Sequence, residues 1–107
     1  MVGKINLFSV EGFEWDKGNL EHLKKHNLQY KECEEAFLNM PIVIVRDKTH
    51  SQKEDRFRIY GQTHKKKLIL IIITLRRNKI RIISARTQSK KERLEYKLVG
   101  GEEIRKK

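Results

Sequence analysis

The stretch Lys65-Lys66-Lys67-Leu68-Ile69-Leu70-Ile71-Ile72-Ile73, continued by Thr74-Leu75-Arg76-Arg77-Asn78-Lys79 and Ile80-Arg81-Ile82-Ile83-Ser84-Ala85-Arg86, decides how this chain reads. The aliphatic run 68–73 has no polar face. It therefore reads as a central strand, covered by helices on one side and at least partly shielded on the other. Arg77-Asn78-Lys79 has the chemistry of a turn, and residues 80–86 form the strand that follows it. Regular alternation places Ile80, Ile82, Ser84 and Arg86 on one face, with Arg81 and Ile83 on the other. Ser89-Lys90-Lys91-Glu92 then matches a capping box, a serine cap with a glutamate three residues on. It starts a basic helix that the pair Gly100-Gly101 is expected to stop after about Leu98.

Working outward, residues 42–45 are β-branched and read as a strand. In residues 56–61, Phe57 and Ile59 face one way, while Arg56, Arg58 and Tyr60 face the other. Residues 47–55 read as an exposed loop and residues 62–66 as a turn. Near the start, Phe13-Glu14-Trp15-Asp16 suits a short strand that buries Phe13 and Trp15. Asp16 offers a helix cap, with Asn19 as a second candidate. Lys24, Lys25 and His26 suit the last turn of that helix, and Asn27 suits a left-handed stop. A second helix over residues 30–39 lines up Tyr30, Cys33, Ala36, Phe37 and Met40, and Pro41 ends it. The order β-α-α-β-β-β-β-α predicts an α+β fold. Its expected form is a small antiparallel sheet with two N-terminal helices on one face and a C-terminal basic helix. One domain over 1–107 is expected, with its core at 13–98 and a tail at 99–107.

The net charge of +11 is uneven. Residues 1–53 carry eight bases and eight acids, whereas residues 54–107 carry seventeen bases and six acids. Such asymmetry points to a polyanionic partner, nucleic acid being the commonest, with an acidic protein as the other choice. The lone Cys33 excludes an internal disulfide and fits a reducing compartment. The longest aliphatic runs fall far short of the ~20 residues of a membrane span. The first residues lack the apolar segment of a secretory signal. A cytoplasmic protein with no membrane association is expected.

Three segments carry a family resemblance. The first is Phe13-Glu14-Trp15-Asp16 with Asn19-Leu20-Glu21-His22-Leu23-Lys24-Lys25-His26. The second is Asp47-Lys48-Thr49-His50-Ser51 with Glu54, Arg56-Phe57 and Gly61. The third is Ile80-Arg81-Ile82-Ile83-Ser84-Ala85-Arg86 with Ser89-Lys90-Lys91-Glu92-Arg93. Together the chain resembles the BrnT toxins of bacterial type II toxin–antitoxin systems. The resemblance implies a RelE/ParE-like fold and metal-independent RNA cleavage that arrests translation. It also implies a cognate BrnA-like antitoxin, through which alone the complex would meet DNA.

Metal-independent RNA cleavage needs a base for the 2′-OH, an acid for the leaving 5′-oxygen, and cations for the phosphorane. Arg86 matches the family's Ile-Ser-Ala-Arg motif, and a guanidinium holds a phosphate by two parallel bonds. Arg93 matches the family's helix segment. His50, in a polar loop, is the acid–base candidate. Arg86, Arg93 and His50 are therefore the expected catalytic set. Arg56, Arg58 and Tyr60 form a cationic strand face with an aromatic for base stacking. Arg81, Lys90 and Lys91 complete the expected RNA contacts. Glu92 is explained by the helix cap, and Cys33 by the core. His22 and His26 have the spacing of a helical metal pair, but no third ligand lies nearby in sequence. No cofactor or metal is expected. The alternatives are a non-catalytic nucleic-acid-binding module, or a toxin of the same fold with another target.

Overall fold

The computed structural model describes residues 11–47 and 55–105. The elements are β1 (Phe13–Glu14), α1 (Lys17–Lys25), α2 (Tyr30–Ala36), β2 (Val43–Arg46), β3 (Arg56–Gln62), β4 (Leu68–Arg76), β5 (Lys79–Thr87) and α3 (Lys90–Arg105). This is the expected order of strands and helices. The strands form one sheet in the order β1-β5-β4-β3-β2, with β4 in the middle. From β2 to β5 every pairing is antiparallel, as expected. The sheet is nonetheless mixed, because β1 adds to the β5 edge in parallel. A parallel partner needs a long connection, and three strands and two helices intervene.

On one face Ile69, Ile71 and Ile73 of β4 are fully buried. They stand beside Gly61, Ile59 and Phe57 on β3. Leu23 and Leu28 from the first helix and its end, and Cys33 and Ala36 from α2, close this core. The first helix starts and stops as its residues dictate. Asp16 and Asn19 exchange side-chain-to-backbone bonds of 2.8 and 3.0 Å, so Asn19 is the third residue of the capping box rather than a cap. At the other end Asn27 takes φ 57°, and Leu28 N–H bonds back to Leu23 O at 3.1 Å. That 6→1 closure, with both leucines buried, is a Schellman stop.

The opposite face carries Leu70, Ile72 and Thr74, and α3 lies over part of it. Tyr96 of α3 is buried and its hydroxyl donates to Pro41 O. Leu70, buried at 4% exposure, belongs to this second layer and not to the main core. The α3 helix keeps its expected start: Ser89 N–H donates to Glu92 Oε1 at 2.7 Å, and Glu92 N–H to Ser89 Oγ at 3.3 Å. Its end differs, since the helix runs through Gly100 and Gly101 to Arg105. Glycine weakens a helix by roughly 1 kcal/mol against alanine but does not forbid it.

One irregularity resets the faces of β5. Ile72 pairs with Ser84, while Ile73 pairs with Ile82, so Ile83 is an extra residue in the strand. Across this β-bulge the alternation shifts by one. Ile80, Ile82 and Ala85 are buried together in the core. Arg81, Ser84 and Arg86 all lie on the opposite face, level with Thr74, Ile72 and Leu70. The expectation that Arg81 and Arg86 point apart is thereby overturned.

Close packing of α2 sets one position tightly. A Cβ at Gly61 would lie 3.1 Å from both Cβ and O of Ala36. Gly61→Val should therefore cost about 1–3 kcal/mol by overpacking, and Gly61→Ala less, in urea denaturation. Wild-type stability in Gly61→Val would disprove the close approach.

Candidate functional site

Cross-strand register places the candidate residues in rungs over β3, β4 and β5. Tyr60, Leu70 and Arg86 form one rung. Arg58, Ile72 and Ser84 form the next, and Arg56, Thr74 and Arg81 the third. Residues on one face of neighbouring strands are close enough to act together. The structure therefore gathers Arg56, Arg58, Tyr60, Arg81 and Arg86 on the face that α3 partly covers. Lys90 and Lys91 are exposed in the first turn of α3. His50 and Glu54 lie outside the described residues.

Arg86 and Glu92 form a two-pronged ion pair, with Nη1–Oε1 2.8 Å and Nη2–Oε2 3.0 Å. The Arg86 bond, with the Ser89 backbone amide helping, holds the Glu92 carboxyl down to about 2. The same pair raises the Arg86 pKa. Glu92 thus has two tasks, capping α3 and pinning that helix to the end of β5. The sequence motif showed only the first. Arg93 is exposed and donates from Nη1 to Gln88 O at 2.9 Å.

Gln88 escaped the sequence reading, since a lone glutamine before a helix cap carries no signal. It is buried at 2% exposure, and its Nε2 donates to Ile69 O at 3.0 Å. It ties the start of α3 to the central strand. Arg81 is held differently from Arg86. Its Nη1 donates to Glu14 Oε1 at 2.9 Å and Asp16 Oδ2 at 2.7 Å. Those contacts join β5 to β1 and to the α1 cap. The Asn19 amide and Arg81 lower the Asp16 pKa, in that order of weight. Arg81 therefore already has two carboxylate partners, which sets it apart from Arg58.

Arg58 has a buried Nε with no hydrogen-bond partner. It borders a cavity of about 230 Å³ between the sheet and α3, with Tyr60, Glu92, Glu95 and Tyr96 around it. A larger hollow of about 800 Å³ lies away from this face, between the α1–α2 link and the β3–β4 turn. There Lys67 pairs with Glu32 at 3.2 Å and the His64 N–H bonds to Glu35 at 2.9 Å, so charges of both signs compensate locally. The other sequence candidates take structural places. Cys33 is fully buried, and burial pushes its thiol up to about 12. His22 and His26 have ring centroids 5.5 Å apart. Among the described residues no group of three or more His, Cys, Asp or Glu is placed to hold a metal. None of the described helices is long and apolar enough to cross a membrane.

Fold and site together define a small basic α+β domain with an arginine-rich sheet face beneath its terminal helix. The model of the family described as ribonuclease toxin, BrnT, of type II toxin–antitoxin systems matches residues 15–92, and the chain belongs to that family. The matched span includes Arg86 and Glu92 and stops just short of Arg93. Among curated proteins none matches the chain.

The Glu92 pair has a pH signature. A carboxylate with a lowered folded-state pKa stabilises above its unfolded value, 4.5, and loses that contribution as pH falls through about 2. Glu92→Gln should therefore melt lower than the wild type at neutral pH. The two melting curves should converge as the pH is taken down toward about 2. A gap that does not change with pH would show that the pair adds nothing beyond the cap.

Proposed function

We propose that the chain is an endoribonuclease toxin that cuts RNA without a metal ion and thereby arrests translation. Family membership supports ribonuclease chemistry. The observation that carries the residue-level reading is the Arg86–Glu92 fork. A phosphate diester offers a guanidinium the same two-oxygen edge as a carboxylate, so the scissile phosphate takes the place of Glu92 on Arg86. In this reading the 2′-oxygen attacks phosphorus and the 5′-oxygen leaves, giving a 2′,3′-cyclic phosphate. Arg86 and Arg93 stabilise the charge that builds on the phosphorane. His50 is assigned the proton transfer, by residue type and by its place in the family motif.

Arg56, Arg58, Tyr60, Lys90 and Lys91 guide the strand across the sheet face. Arg81, held by Glu14 and Asp16, contributes field more than direct contact. The element order, with two early helices on one side of the sheet, agrees with a RelE/ParE-like architecture. A cytoplasmic BrnA-like antitoxin would neutralise the toxin by laying acidic side chains on the same cations. DNA would then be met only through that complex.

The test is incubation of purified protein with RNA, with and without EDTA. Cleavage that survives EDTA and leaves cyclic-phosphate ends is expected. Intact RNA would end the nuclease reading, and cleavage abolished by EDTA would end the metal-independent mechanism. Arg86→Ala and Arg93→Ala should each slow cleavage by about a hundredfold or more while keeping a cooperative melt. Loss of that melt would assign the residue to the fold.

A further inference from the structure

The cavity under α3 contains chemistry that phosphate cleavage leaves unused. Four of its polar or aromatic groups divide into two sets. Glu92 has both carboxylate oxygens on Arg86, and the Tyr96 hydroxyl is committed to Pro41 O. Arg58 and Glu95, by contrast, border the same 230 Å³ space without forming an ion pair among the described residues. One offers hydrogen-bond donors from β3. The other offers acceptors from α3. Tyr60 and Tyr96 give the space aromatic surfaces.

In a chain of net charge +11, this pocket is lined by two carboxylates, Glu92 and Glu95. Glu92 is balanced by Arg86, and Arg58 and Glu95 bring one charge of each sign, so the space has no net charge to hold a phosphate and its occupant is uncharged. It is also flat, to lie against tyrosine. It must turn acceptors toward a guanidinium and donors toward a carboxylate. A nucleobase meets all of these conditions. Among the four bases, guanine alone pairs two neighbouring acceptors, O6 and N7, with two neighbouring donors, N1–H and N2–H. It fills both charged groups with two bonds each. Uracil and cytosine each leave one group half-satisfied, and adenine sets its amino donor beside N7, against the guanidinium.

We propose that this cavity is a guanine-selective base pocket, with Arg58 and Glu95 as its specificity residues. The base that enters belongs to a nucleotide next to the phosphate held on Arg86, because Glu92 both lines the pocket and faces Arg86. That placement rests on the ribonuclease reading; the base selectivity does not.

Two measurements on the full chain test it. The first is calorimetric titration with the 3′-monophosphates of guanosine, adenosine, cytidine and uridine. Guanosine should bind at least tenfold more tightly than the others. Glu95→Gln, on the exposed side of α3, should remove that preference and leave the weaker nucleotides unchanged. Equal binding of all four, binding of none, or a preference that survives Glu95→Gln would overturn the pocket. The second is cleavage of oligoribonucleotides that differ at one base. Cutting that tracks a guanine, and loses this bias in Glu95→Gln, supports the proposal. Cutting indifferent to base overturns it. Guanosine-selective binding without any cutting supports the pocket and counts against the nuclease reading instead.

Discussion

A central strand that is apolar on both faces must be covered on both, and this constraint governs the molecule. Burying one face of β4 requires the α1–α2 layer, with Leu23, Cys33 and Ala36 against Ile69, Ile71 and Ile73. The other face leaves Leu70, whose burial is worth about 2 kcal/mol. Leu70 stands level with Tyr60 and Arg86 on that face, where α3 brings Tyr96 down to the Pro41 carbonyl. The placement of α3 then has a chemical result. It carries Glu92 to Arg86, and it roofs the space beside Arg58 and Tyr60. The helix that packs on this side of the sheet thus shapes the cationic face.

The bulge at Ile83 is the second determinant. Without it, Arg81 and Arg86 would face opposite sides and β5 could offer only one of them. With it, β5 keeps Ile80, Ile82 and Ala85 in the core and still turns both arginines outward. The extra residue therefore serves packing and site together. Bulges commonly re-aim side chains in this way.

Charge is managed locally despite the large net excess. Arg81 is tied to Glu14 and Asp16, Arg86 to Glu92, and Arg46 to Asp55 at 2.6 Å. Such pairs add little where they are exposed. Their value here is orientation. A guanidinium already held in fork geometry by a carboxylate meets a phosphate in the same geometry, with less ordering left to do. Beside Arg58 the charges offset one another, with Glu92 held by Arg86 and Glu95 of opposite sign to Arg58, which leaves a space suited to a neutral base.

The sequence by itself determined the order of elements, the cap at Asp16, the capping box at Ser89, the stop at Asn27 and the tight turn at Arg77-Asn78. These are local. Each depends on a side chain reaching a backbone group within a few residues, or on one residue's tolerance for positive φ. The alternation of β3 was equally readable, and it correctly set Arg56, Arg58 and Tyr60 on one face. The site itself was only half legible. Arg86 stood out by motif, but its partner Glu92 looked fully occupied as a cap, and Gln88, Glu14 and Asp16 gave no sign of their contacts across the fold. The parallel edge pairing of β1, the path of α3 beside Arg58 and Tyr60 and the bulge were decided by tertiary structure alone. An inserted residue in a strand costs little locally, and its position is set by which side chains fill the core. Packing chose Ala85 over Ser84 for that place, and so put Arg86 on the same face as Arg81.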